Sequence, residues 1–216
     1  MVVHDIRSPV TAIVAAARAG LRRYPQRDGP PGKQFGLVED SGKSVLHIID
    51  NILTVARMSG GEIPVSLESF DLVEVVKGCV EELNPFAQQT DHRVALSCDD
   101  TLLVAALDRL LVQRIVSNLL VNAFRHTPAG CSVDVVCEHD DVLCRITIRD
   151  DGPGLPRKVE EDVFGGFGGS QGRSKGAYLD TGLGLPFCRM ACESLGGGLR
   201  YQRSRGACFV VELPKT

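Results

Sequence analysis

The 216-residue chain contains no tryptophan and only 5% aromatic residues, too few to build a platform on which nucleic-acid bases would stack. It has no run of lysine and arginine interleaved with aromatics, and its formal net charge is −3, so no nucleic-acid partner is expected. No apolar run approaches the ~20 residues that a membrane span needs. Acidic Asp5 and basic Arg7 stand where the apolar core of a signal peptide would begin. The expectation is a cytoplasmic chain with no membrane contact of its own. The eight cysteines form no C-x-x-C pair and no Cys/His cluster at zinc-ligand spacing. Most lie in apolar stretches such as CSVDVVCE and FCRMACES, which fits small buried hydrophobes in a reducing compartment. There is no G-x-x-x-x-G-K-[ST] loop, and the signatures of Ser/Thr/Tyr protein kinases are missing too.

What is present reads as globular: 44% hydrophobic and 24% charged residues. Val3, Ile6, Val10, Ile13, Ala17 and Leu21 recur at spacings of three and four, the stripe of an amphipathic helix over residues 2–23. A Pro/Gly-rich break follows at Tyr24–Lys33, and a second stripe from Gln34 to Met58 places Phe35, Val38, Val45, Ile48, Ile49, Ile52 and Val55 inward. Two such helices make an antiparallel hairpin. One hairpin cannot bury both stripes, so a homodimer closing a four-helix bundle is the physical expectation. The alternative is a hairpin packed on the rest of its own chain.

After Ser59-Gly60-Gly61 the pattern changes. Ile63–Phe70 alternates like a strand, and Asp71 caps a helix to about Leu83. His92–Cys98 is strand-like, and Asp108 caps a helix that carries NLLVNAFRH. Ser132–Glu138 and Val142–Arg149 form a hairpin around His139-Asp140-Asp141. Pro156–Val163 reads as a short helix, Gly165–Gly176 as a glycine-rich stretch and Thr181–Leu195 as a helix. Gly198–Arg203 and Ala207–Leu213 close with a second hairpin. Strands and helices mix without βαβ repetition, which gives an α+β fold: a helical hairpin in residues 1–60, then a two-layer α/β sandwich in 65–216.

Four short segments carry the chemistry. HDIRSP (His4–Pro9) puts an imidazole beside a carboxylate on the first helix, and an imidazole accepts a phosphoryl group when a neighbour manages its proton. On its own, a helical His-Asp pair is ordinary surface. NLLVNAFRH places Asn118 and Asn122 one helical turn apart, so both amides leave one face. An Asn turned inward needs a partner, either backbone or a hard-oxygen-seeking cation such as Mg²⁺. DDGPG puts Asp150 at a strand end with Gly152 and Gly154 behind it, where backbone can approach a flat ring that a Cβ would strike. The same letters also describe a plain turn. TGLGL (Thr181, Gly182, Leu183, Gly184, Leu185) opens a helix whose free amides suit phosphates.

Their order resembles the sensor histidine kinases of two-component signalling, over nearly the whole chain. The resemblance implies that residues 1–60 are a dimerisation and phosphoacceptor hairpin and that residues 65–216 are a catalytic domain of the Bergerat type, binding ATP with Mg²⁺. It implies His4 as the acceptor, Asp5 as general base, and Ser8 at the position that orients water for phosphatase activity. Asn122 would hold the metal with Asn118 assisting, Arg125 would meet phosphate, and His126 would flank the nucleotide where the family often has an aromatic. Asp150 would read the adenine amine, and the segment from Gly165 would be an ATP lid bringing Lys175 and Arg173 to the phosphates. The product would pass to an aspartate of a response-regulator receiver. A net phosphatase or a non-catalytic nucleotide-binding dimerisation module are the competing functions. Only three residues precede His4, so the hairpin is expected to be N-terminally truncated.

Overall fold

The computed structural model describes residues 2–25, 31–39, 41–42, 45, 63–98, 103–155 and 184–215. The chain divides into two compact units, one within residues 1–61 and the other formed by the described residues from 63 onward.

The first unit holds helix α1 (Val2–Arg23), with Arg22 and Arg23 in its last turn, where cations suit the negative helix end. Tyr24 closes it by donating its amide to Gly20 O, and Pro25 stands beyond. Helix α2 is described over 31–39, so the sequence break is shorter than Tyr24–Lys33. Pro31 opens that stretch, a position where its missing N–H costs nothing. The buried face of α1 is centred on Val14 and Ala17, while Ile13 is 49% exposed, one residue off the anticipated stripe. Val38, expected inward, is exposed as well. The reason is local. Gly20 leaves room for the Phe35 ring and Gly42 leaves room for the Val14 side chain, so the helices meet where side chains are smallest. Tyr24 stacks on Phe35 at 6.2 Å, and Arg18 Nε donates to the buried carboxylate of Glu39 at 2.8 Å. The remainder of the second stripe lies outside the described residues.

The second unit is built on a five-stranded sheet of order β2-β4-β5-β7-β6, with a separate two-stranded sheet β1-β3. The strands are β1 (Glu68–Asp71), β2 (Arg93–Cys98), β3 (Val104–Leu107), β4 (Ser132–His139), β5 (Leu143–Asp150), β6 (Gly198–Arg203) and β7 (Ala207–Pro214). β2 runs parallel to β4 and the other neighbours are antiparallel, so the sheet is mixed. Alternation places Val133, Val135 and Cys137 of β4 and Cys144, Ile146 and Ile148 of β5 on the buried face. Helices α3 (Leu72–Gln89), α4 (Arg109–His126) and α5 (Gly184–Ser194) pack beside one another and supply Leu72, Val76, Ile115, Leu119, Leu120 and Phe187 to the same core. Each such side chain contributes about 1.5–3 kcal/mol by leaving water.

Three expectations change. The strand begins at Glu68 rather than Ile63, because its partner β3 is only four residues long and pairs Glu68 with Leu107 through Asp71 with Val104. That partner was not anticipated. Helix α3 runs past Leu83 to Gln89 with Pro85 inside it. It ends where Thr90 Oγ1 donates to Phe86 O and Asp91 turns to φ 57°. All eight cysteines are free thiols. Among the described residues no helix is long and apolar enough to cross a membrane.

Candidate functional site

Helix α4 organises the site. Asp108 caps it through Oδ1, which accepts from Leu111 N at 2.9 Å, while Oδ2 accepts from Ser66 N. The apolar residues of α4 go to the core, and Asn118 is buried with them at 2% exposure. Its Nδ2 donates to Arg114 O, 2.8 Å away, one turn back. The amide oxygen faces α5: a Cβ placed on Gly184 would stand 3.3 Å from Asn118 Oδ1, and 3.7 and 3.8 Å from the side-chain amide of half-buried Asn122. Nδ2 thus makes the backbone bond, and Oδ1 is the atom turned toward α5. Two contacts fix α5 there. The Arg114 guanidinium lies 4.4 Å over the Phe187 ring, and Cys188 Sγ donates to Ile115 O at 3.7 Å.

The other end of α4 meets the aspartate turn. Asp150 closes β5 at 6% exposure, and its Oδ1 accepts from Gly152 N at 3.0 Å and Ala207 N at 3.1 Å. Burial pushes its pKa up; the two amides pull the other way but do not win. Among the described residues both partners use Oδ1, which leaves Oδ2 for a donor from outside. Gly152 sits against Thr127, whose methyl would be 2.5 Å from a Cβ there. Gly154 has φ +69°, a left-handed conformation that suits glycine, and faces Gly206 O. Asp151 Oδ1 takes Ser132 N at 2.7 Å, which ties the turn to β4.

The sequence reading passed over Thr127, His92 and Gly206. Thr127 caps the C-terminus of α4, donating Oγ1–H to Ala123 O at 2.7 Å, and Pro128 follows it. His92 is buried, with Nε2 2.8 Å from Thr127 Oγ1 and Nδ1 2.9 Å from Thr90 Oγ1. Nothing in the residue pattern marks these positions, because their partners come from three separate elements.

The structure thus brings Asn118, Asn122 and Gly184 into one cluster, and Asp150, Gly152 and Gly154 into another. Asn122 and Thr127 connect them, about 7.5 Å apart along one helix axis. Arg125 and His126 are exposed in the last turn of α4, and Leu185 is half-buried in the first turn of α5. His4, Asp5 and Ser8 lie on α1, but their side chains are outside the described residues. Lys175, Thr181, Gly182 and Leu183 are outside them entirely, as are the short helix 156–163 and the glycine-rich stretch. The helix expected over 181–195 is described as Gly184–Ser194.

Chemically, hard amide oxygens beside a helix N-terminal turn suit a cation bridging anionic oxygens. A buried carboxylate with one oxygen in reserve, above glycines, suits an amine on a flat ring.

A mixed sheet carrying helices with this site defines the class of fold seen in ATP-binding catalytic domains of signalling kinases. A family model described as histidine kinase-, DNA gyrase B-, and HSP90-like ATPase matches residues 107–216, and one for the His Kinase A (phospho-acceptor) domain matches residues 1–61. The chain belongs to the histidine kinase-, DNA gyrase B- and HSP90-like ATPases, as a two-component sensor histidine kinase. Sensor protein KdpD of Escherichia coli (strain K12) is 28% identical over 214 residues, which cover 98% of this chain and 23% of KdpD. The structure of full-length ShkA in complex with AMPPNP superposes with a TM-score of 0.70 at 22% identity, covering 100% of this chain and 45% of that one. Histidine kinase ThkA in complex with the response regulator protein TrrA gives a TM-score of 0.65 at 21% identity, covering 100% and 60%. At these identities the structures speak for the fold. The chain spans 14–45% of the length of its curated relatives.

Proposed function

We propose that this chain is an ATP-dependent protein-histidine autokinase that phosphorylates His4 and hands the phosphoryl group to an aspartate of a response-regulator receiver. The observation that carries the reading is the meeting of Asn118 and Asn122 with Gly184 on the helix whose other end abuts the Asp150 turn. In this reading residues 65–216 bind ATP, and residues 1–60 dimerise and present the acceptor. Asp150 Oδ2 accepts from the adenine amine, and Gly152 and Gly154 shape the close-packed turn behind it. Gly182 and Gly184, with Thr181, Leu183 and Leu185, shape the turn that lends amides to the phosphates, and Arg125, His126 and Lys175 close on them. The cradle at Gly184 and the two inward amides fit a Mg²⁺–triphosphate, with Asn122 as the metal ligand. Such an ion would neutralise charge on the leaving phosphates.

The chain's own groups then have little covalent work, because phosphoryl transfer rests on positioning. The His4 ring nitrogen takes the γ-phosphoryl group as ADP departs, and Asp5 holds the proton of the other ring nitrogen. Ser8 keeps a hydroxyl where water could be oriented for dephosphorylation. The chain acts as a cytoplasmic homodimer.

The test is incubation with γ-labelled ATP and Mg²⁺, scoring acid-labile, alkali-stable label. Label is expected in the parent chain and absent in His4→Ala and Asn122→Ala. Label persisting in His4→Ala would overturn the acceptor assignment. Its absence from the parent chain while ATP still binds would overturn autokinase activity.

A further inference from the structure

Between the core and the aspartate turn lies a short relay of side chains that the proposed function leaves without a role. His92 is 6% exposed and its ring sits 5.6 Å from that of Phe124. Its backbone is pinned as well, with His92 N donating to Ala87 O at 2.8 Å. Thr127 Oγ1 donates to Ala123 O, and the same oxygen lies 2.8 Å from His92 Nε2. A threonine held by a backbone carbonyl on one side and a ring nitrogen on the other has one rotamer. That rotamer aims its methyl at Gly152.

The turn is thus gripped from two sides. On one, the Thr127 methyl occupies the space that a side chain on residue 152 would need. On the other, Gly206 comes so near that a Cβ on it would strike Asp150 O, Asp150 Oδ1 and Gly152 N. Gly152 N is also one of the two donors to Asp150 Oδ1. Whatever fixes the height of Gly152 therefore fixes the direction in which Oδ2 points.

We infer that Thr127 is a positioning residue of the base pocket, and that His92 acts through it. This rests on the reading of Asp150 as the base-recognising carboxylate. Thr127→Ser keeps the hydroxyl bonds and removes only the methyl, so the turn gains room to settle toward α4. A carboxylate displaced by a fraction of an ångström still binds a nucleotide but discriminates less between a 6-amino and a 6-oxo purine. Since a misplacement of about 1 Å costs on the order of 100-fold in a positioned contact, a change of roughly 5- to 10-fold is expected.

His92→Leu should act in the same direction, by releasing the Thr127 rotamer. His92→Gln, whose amide N–H can still reach Thr127 Oγ1, should restore the parent behaviour. A role confined to stability would lower the melting temperature in all His92 variants and leave discrimination untouched.

The experiment is competition binding of ATP and GTP to the full chain with Mg²⁺, alongside thermal melting, for Thr127→Ser, His92→Leu, His92→Gln and Asp150→Asn. The inference predicts that ATP-over-GTP preference falls roughly 5- to 10-fold in Thr127→Ser and His92→Leu and recovers in His92→Gln. Unchanged preference in Thr127→Ser and His92→Leu, with Asp150→Asn defective, would overturn the inference alone. Unchanged ATP binding in Asp150→Asn would overturn the base-pocket reading beneath it.

Discussion

Gly184 and Asn118 approach so closely that a methyl group on residue 184 would lie 3.3 Å from the Asn118 amide oxygen. A helix has been brought against an asparagine, and the glycine is the reason it fits. Nearly any other first residue would push α5 away from the two amides of α4.

Gly184→Ala separates packing from binding. Alanine's helix advantage of about 1 kcal/mol belongs to helix interiors, and residue 184 opens α5 with its methyl pressed on Asn118, so the variant should fold with a stability equal to its parent's or slightly lower. Its Mg²⁺–ATP affinity should drop roughly tenfold, which is about 1.4 kcal/mol. Titration calorimetry and a melting curve on the same sample check both halves. Undiminished affinity would remove the phosphates from this cradle.

The two asparagines should part company. Asn118 is buried and bonded to Arg114 O, so Asn118→Ala should cost about 0.5–1.5 kcal/mol of stability through that lost hydrogen bond, Arg114 O keeping its helical donor. Asn122 is half-buried. Asn122→Ala should leave urea unfolding nearly unchanged while Mg²⁺ no longer strengthens ATP binding. Equal destabilisation by both would contradict the division of labour.

Asp150→Asn should stabilise the free chain and weaken the complex. Burial disfavours the charge on Asp150, so a neutral amide of the same shape removes a penalty. The amide also turns one acceptor into a donor, and losing a hydrogen bond to a charged group costs about 1.5–3 kcal/mol of binding. Urea midpoints for the free chain and calorimetry with ATP should move in opposite directions.

The pH dependence follows from the same carboxylate. Its folded pKa lies above its unfolded value, so between the two the folded chain binds more protons. Asp150 therefore makes stability fall as pH rises through that window, and relieves the loss as pH drops. Asp140 acts oppositely: the amides of Leu143 and Val142 hold its pKa down, so its contribution is present above its unfolded pKa and disappears in acid. Urea titrations from pH 3 to pH 8 should show stability falling as pH rises from the ordinary carboxylate pKa, a slope that flattens in Asp150→Asn. An identical profile in the variant would show that Asp150 is not the group responsible.

The sequence made the main elements legible wherever burial followed a period. Alternation in β4 and β5, the caps at Asp71 and Asp108, and the closing hairpin all come from rules that act over a few residues. It was less clear where packing overrode the pattern. Pro85 is carried inside α3 because neighbouring burial outweighs one missing donor, and β3 is too short to have a period. In α1 the buried face follows one glycine of its own, Gly20, and one of the facing helix, Gly42, which the α1 stripe alone does not reveal. Asn118, Asn122 and Asp150 were visible because unusual residues interrupt apolar runs. Thr127 and His92 were not, since a threonine after a helix and a histidine before a strand are common and their meaning lies in a 2.8 Å contact across 35 positions of sequence.

Six of the eight cysteines are buried, and burial lifts their thiol pKa values, that of Cys192 to about 12. At neutral pH these sulfurs carry almost no thiolate and stay inert to alkylating reagents while the fold is closed. They are also spread across the elements: Cys79 on α3, Cys137 and Cys144 on adjacent strands, Cys188 and Cys192 on α5. The protein consequently carries its own clocks. Peptide-resolved thiol labelling dates the opening of each element, and α5, with two reporters beside the Gly184 cradle, keeps separate time from the sheet if it loosens on its own.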